Sequence, residues 1–119
     1  MDLNKMIEEV KKSTDPSKVG MITSHLGVVR GTSRSGERVS GIEVAYDRLA
    51  LQAIVCDINE MPGIAKVLVE TREGRLNVGE EILAVVVAGD IRENVFPALV
   101  NAVNRIKKEA SRKKEHRKE

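Results

Sequence analysis

The stretch Glu81-Ile82-Leu83-Ala84-Val85-Val86-Val87-Ala88 decides the fold. Its second half, Ala84 to Ala88, is apolar throughout and rich in β-branched valine, which suits a pleated strand better than a helix. A strand with one wet face alternates apolar and polar residues; this one does not, so it is expected to be buried on both faces. The rest of the chain must then supply a layer for each side. Just downstream, Asp90 and Glu93 have the spacing of a capping box, with Asp in place of the usual Ser or Thr. Phe96, Leu99, Val100, Val103 and Ile106 then recur along one face of a helix, with Pro97 tolerated in its first turns.

Upstream, Ile64 to Arg72 reads as another strand, separated from the first by the Gly-bounded stretch Gly74–Gly79. Asp47 can cap a helix whose apolar positions Leu49, Leu51, Ile54, Val55 and Ile58 run on to Met61, before Pro62-Gly63 ends it. Val39, Ile42, Val44 and Tyr46 mark a strand with an irregularity at Gly41, and Ser33–Glu37 is a polar turn. Val19 to Arg30 suits a further strand, ended by Gly31. Residues 2–12 carry Leu3, Met6, Ile7 and Val10 at helical spacing, and Ser13–Lys18, with Asp15-Pro16, breaks that helix. Helix, two strands, helix, two strands, helix is an α+β order. The 119 residues fit a single domain, 1–119, whose end from about residue 107 reads as a basic helical tail.

Aromatics are only 2% of the chain, Tyr46 and Phe96 alone, so the core must be aliphatic and oligomerisation would supplement it. Cys56 is the only cysteine; no internal disulfide can form, and its apolar run suggests a buried small hydrophobe in an intracellular protein. No stretch approaches the ~18 apolar residues of a membrane span, and the N-terminus is not signal-like, so a cytoplasmic location is expected. The formal net charge is only +2, yet Arg105 to Glu119 is dominated by cations. Such a run fits an anionic partner; a solvated helical tail accounts for the same charges.

Lys107 follows Val103 by four residues and sits at the edge of the apolar stripe. There it can reach into a neighbouring pocket as a nucleophile or base, or snorkel over apolar surface. Lys114 lies seven residues on, near the same meridian if the helix continues. Arg30 ends a strand before the Gly31-Thr32-Ser33 turn, a place that can receive phosphate. Arg92, in the first turn of the last helix, opposes the helix dipole unless it faces an anion. His25 and His116 have no metal-ligand spacing with Cys56 or each other, so no metal site is expected. No phosphate-binding loop, serine triad or nucleotide fingerprint is present.

Four segments together bring a family into view. Gly27-Val28-Val29-Arg30-Gly31 resembles the G-x-V-R signature of the molybdopterin synthase large (catalytic) subunit. Val39 to Ala50, with Glu43, Tyr46 and Leu49-Ala50, is similar to its V-x-x-L-E-x-E-x-Y-x-x-M-A stretch. Arg72 to Glu80 resembles its H-R-x-G-x-L-x-V-G-[DE] segment, with Thr71 in place of His. Arg92, Phe96 and Asn104-Arg105-Ile106-Lys107-Lys108-Glu109 track its last long helix. The likeness covers about residues 19–116; no single motif is very specific, but four in order are fairly so.

The resemblance implies an α/β-hammerhead fold with a mixed or antiparallel sheet and about three helices. It also implies a homodimer that binds two copies of a small ubiquitin-like subunit ending in a Gly-Gly thiocarboxylate, giving a heterotetramer. The implied reaction is sulfur transfer to cyclic pyranopterin monophosphate, forming the molybdopterin dithiolene, with no permanently bound cofactor. By position, Lys107 matches the catalytic lysine and Arg30 an arginine of the anion pocket. A second lysine falls on Lys114 without a gap, or on Lys113 with one deletion; Arg92 matches the arginine of a His-Arg pair. Two departures stand out: Ile91 replaces the histidine before Arg92, and Ser111-Arg112-Lys113 replaces P-[IF]-W, so the helix need not break. They leave open a catalytically degenerate paralogue that acts as a binding or scaffold protein for a ubiquitin-like partner or an anion. A nucleic-acid-binding module is a third reading, but the basic tail lacks stacking aromatics. No membrane partner is implied.

Overall fold

The computed structural model describes residues 1–118. Their elements run α1 (Leu3–Ser13), β1 (Met21–Val28), β2 (Val39–Tyr46), α2 (Arg48–Asn59), β3 (Ile64–Thr71), β4 (Gly74–Asn77), β5 (Glu81–Gly89), α3 (Arg92–Arg105) and β6 (Ser111–Arg117), with a 3-10 turn at Pro16–Lys18 and a π turn at Ile106–Ala110. The class is α+β.

The valine run is the centre of a three-stranded antiparallel sheet, β1-β5-β3. As its sequence requires, β5 is buried on both faces. Leu83, Val85 and Val87 pack with Ile54 and Ile58 of α2 and with Val95, Ala98 and Ala102 of α3. Ala84, Val86 and Ala88 face the other way, onto Met6 and Val10 of α1. Each valine buried so completely contributes about 1.5–3 kcal/mol. Two helices are held at their starts by aspartates: Asp2 accepts from the Lys5 N–H at 3.1 Å and Asp47 from the Ala50 N–H at 3.1 Å.

A second antiparallel sheet, β4-β2-β6, hangs beside the first. Val39, Ile42 and Val44 of β2 make a smaller apolar cluster with Val29 and Leu76, joined to the main core through Tyr46 and Ile82. The irregularity expected at Gly41 is present as a register shift between Val39 and Gly41 against β6. Gly41 is needed there, since a Cβ would come within 2.5 Å of the Leu76 carbonyl oxygen.

Several expectations are corrected. The basic tail is not helical: α3 widens into the π turn, and Ser111–Arg117 becomes β6, antiparallel to β2. The cause is pairing: β2 offers an edge that the tail's backbone fills, whatever the helical tendency of its lysines and glutamates. The Gly74–Gly79 stretch, read as a connection, contains the short strand β4, and both sheets are antiparallel, one of the two arrangements expected. The helix start is also different. Ile91, with extended backbone, takes the cap position of α3, and the Asp90 carboxylate instead accepts from the Ile91 N–H at 2.6 Å and the Asn94 side-chain amide at 2.9 Å. The buried face of α3 is rotated from the expected one, with Val95, Ala98, Ala102 and Ile106 inside and Phe96 and Val100 exposed. Cys56 is exposed, on the outer side of α2.

Candidate functional site

Where the two sheets meet, a cavity of about 840 Å³ opens between β1, the start of β5, β2, the π turn and β6. Its walls combine the apolar side chains Ile42, Ile82 and Leu83 with strongly charged ones. Arg30, Arg34, Lys107 and Lys113 reach it from separate parts of the chain, with Glu115 the one carboxylate lining it among the described residues.

Each cation is placed by a local feature. Arg30 follows Val29, whose N–H donates to the Glu80 carbonyl at 2.9 Å and whose carbonyl accepts from the Gly79 N–H at 2.8 Å. Arg34 sits on a turn closed on itself: the Ser33 N–H donates to the Glu37 carbonyl at 2.8 Å, and buried Ser33 accepts from the Glu37 N–H at 3.1 Å. Gly36, at φ 88°, supplies the left-handed residue of this turn. Lys107 stands in the π turn between buried Ile106 and Ala110. Such five-residue turns interrupt α-helices at functional sites.

Strand alternation chooses between the two tail lysines. Residues opposite each other in an antiparallel pair share a face. Ser111, Lys113 and Glu115 face Tyr46, Val44 and Ile42, on the cavity side of β2. Lys114 faces Glu43, on the far side of the sheet, where Glu43 also meets His116 at 3.0 Å. The structure therefore gathers Lys107, Arg30 and Lys113, and sends Lys114 away from them. Arg92 is not in the cavity either; it is 79% exposed and pairs with its neighbour Glu93 at 3.1 Å. That pairing supplies the anion its position at a helix N-terminus demanded.

The crowded cations alter each other. The Lys107 ammonium is held below the usual lysine range, first by burial and then by the charges of Lys113, Arg34 and Arg30. Tyr46, half buried with its hydroxyl 3.5 Å from the Ile82 carbonyl it donates to, is pushed up to about 12 by burial and by Glu73. His25 also lines the cavity, and burial followed by the Lys107 charge lowers its pKa. Gly27 makes room for it: a Cβ there would lie 3.4 Å from His25 Nε2 and 3.2 Å from Ile82 Cγ2.

Sequence reasoning missed His25, Arg34, Tyr46 and Glu115 as members of the site. His25 had a usable signal. Met21 packs into the main core and Ile22 onto α1, so odd positions of β1 face inward and His25 with them. For Arg34 and Glu115 only the folded loop and the pairing of β6 reveal the placement. Among the described residues, no cluster of three or more His, Cys, Asp or Glu side chains could hold a metal ion, and no helix is long and apolar enough to cross a membrane. What the cavity offers is a place for a multiply charged anion beside apolar side chains, with a lysine whose proton is loosened.

Comparison with known proteins points the same way. A family model described as MoaE protein matches residues 1–109. The molybdopterin synthase catalytic subunit of Nostoc sp. (strain PCC 7120 / SAG 25.82 / UTEX 2576) is 32% identical over 116 residues, covering 92% of this chain and 70% of that protein. Among solved structures, molybdopterin synthase from Staphylococcus aureus superposes with a TM-score of 0.76 at 23% identity, covering 95% of this chain and 85% of the other. A complex of subunits 1 and 2 of molybdopterin-converting factor from Helicobacter pylori 26695 contains a chain with a TM-score of 0.72 at 15% identity, with 97% and 78% covered. At such identities these two share the fold.

Proposed function

This chain belongs to the MoaE protein family, and from that membership we propose that it is the catalytic subunit of a molybdopterin synthase. In this reading it takes sulfur from the C-terminal thiocarboxylate of a small ubiquitin-like partner and delivers it to cyclic pyranopterin monophosphate, forming the dithiolene of molybdopterin. The observation that carries the reading is the convergence of Lys107, Arg30 and Lys113 in one cavity.

The chemistry follows from the residues. The substrate's phosphate needs fixed cations, and Arg30, Arg34 and Lys113 provide them without reorganisation. Ile42, Ile82 and Leu83 give the flat ring an apolar seat. Lys107, with its proton loosened by burial and like charges, is the group best placed to accept a proton or attack carbon. Arg92 and Lys114 lie outside this cavity and take no part in it within one protomer.

The partner assignment draws on the Helicobacter pylori neighbour, itself a two-subunit complex. Leu26, Val28 and Val78 are exposed apolar side chains that suit a surface another chain covers, in keeping with a homodimer carrying two small subunits. A cytoplasmic location accompanies the reading, as a free, exposed Cys56 suits a reducing compartment.

Lys107→Ala is expected to lower dithiolene formation by about 100-fold or more when the thiocarboxylated partner is supplied, with circular dichroism and melting unchanged. A rate equal to wild type removes Lys107 from the mechanism. A second reading, a scaffold that binds the partner or an anion without turnover, is favoured by Ile91, which leaves no imidazole beside Arg92. It predicts no dithiolene even from the wild-type chain.

A further inference from the structure

The cavity holds one group that the proposed reaction leaves without a task. His25 is on the inward face of β1, opposite Val85, and shares the cavity with the four cations. Its Nε2 is buried and has no hydrogen-bond partner among the described residues. A polar atom buried without a partner is costly, and in a cationic cavity a second proton on the ring adds to that cost. Those costs change sign when the cavity is filled by an anion.

We propose that His25 is the proton acceptor of the anion pocket: when a doubly charged anion enters the cavity, His25 takes up one proton from solvent and becomes its fifth cation. The charge balance is simple. Empty, the cavity holds Arg30, Arg34, Lys107 and Lys113 against the single carboxylate of Glu115, with the Tyr46 hydroxyl neutral. A fifth positive charge there is opposed by all four cations. Two negative charges lower the cavity's formal excess of three positive charges to one and attract the imidazolium directly, so occupancy raises the affinity of His25 for its proton. By linkage the protonated ring binds the anion more tightly, by the same factor.

Burial and the charge of Lys107 already keep the empty-state imidazole neutral at physiological pH, which sets the direction of the effect. Below the pKa of the empty state and above that of the filled state, no proton moves. Between them, anion affinity rises as pH falls. The other histidine, His116, lies on the far face of the second sheet beside Glu43 and serves as an internal reference. The inference rests on the anion-binding half of the proposed function and not on sulfur transfer.

Sulfate is the suitable probe, since it is a tetrahedral dianion that does not titrate near neutral pH. Proton-detected titration of the two histidine rings in the wild-type chain, with and without sulfate, reads the proposal directly. The expected result is a rise of about one unit in the His25 midpoint with no response from His116, and sulfate affinity about tenfold higher at the acid end of the window. In His25→Gln, sulfate still binds but its affinity no longer depends on pH across that window. An unmoved His25 midpoint with sulfate bound overturns the proposal, as does a pH dependence that survives in His25→Gln, which would assign the proton to Glu115 or Lys107. Failure of wild type to bind sulfate overturns it together with the anion pocket. Loss of sulfur transfer with intact sulfate linkage overturns only the synthase reading.

Discussion

The two sheets of this molecule are built by different rules. In β1-β5-β3 nearly every inward side chain is aliphatic, and both faces of β5 are sealed by helices. In β4-β2-β6 only β2 and Leu76 contribute apolar residues, while the inward residues of β6 are Ser111, Lys113 and Glu115. The first sheet is held by packing. The second turns one flank toward a charged cavity, so its residues there answer to a ligand and not to the core. Substitutions in the two regions should therefore separate stability from activity.

The largest effect is expected in the first region. Ile54, 1% exposed between α2 and the sheet, leaves a cavity when cut to alanine, and Ile54→Ala should cost about 2–5 kcal/mol in urea unfolding. A loss well under that range means the α2 layer is looser than its burial implies. In the second region the contrast is between neighbours. Lys113→Ala should reduce activity about tenfold or more while changing stability by no more than about 0.5 kcal/mol. Lys114→Ala should change neither. Equal losses from both lysines would break the face assignment of β6.

The legibility of the sequence follows the same division. Periodic apolar residues made α1 and α2 readable, and the unbroken apolar run of β5 marked a strand buried on both faces. The tail carried no such record. Its inward positions are polar, so Ser111–Arg117 has the composition of a solvated helix although it is a strand. Lys107 and Arg30 stood out in the sequence by their places at the edge of an apolar stripe and at a strand end and by motif order, and they line one cavity. The choice between Lys113 and Lys114 depended on whether the tail repeats every 3.6 residues or every two, and only pairing with β2 decides that. His25 was readable in principle, once the phase of β1 was set by Met21 and Ile22. Arg92 lies outside the cavity within one protomer: a position at a helix N-terminus demands an anion without saying which, and Glu93 supplies one.

The smallest effect sharpens the comparison through pH. His25 binds its proton less tightly in the folded chain than in the unfolded one, so the unfolded state holds more protons between the folded pKa and about 6.5. Stability should therefore rise with pH through that window and level off above it. His25→Gln should flatten this part of the profile. The lowered carboxylates Asp15, Asp90 and Glu109 act at lower pH: their contribution is lost as pH falls through their folded values. A melting temperature that does not change with pH just below about 6.5 would contradict the placement of His25 in a cationic cavity.

The most direct test of the whole account is a crystal structure of the chain with cyclic pyranopterin monophosphate. The phosphate is expected within hydrogen-bonding distance of Arg30 and Lys113, with Lys107 beside the reacting side chain of the pterin. A ligand seated on the outer face of the second sheet, among Lys114, Glu43 and His116, with the cavity at the sheet junction unfilled, would contradict it.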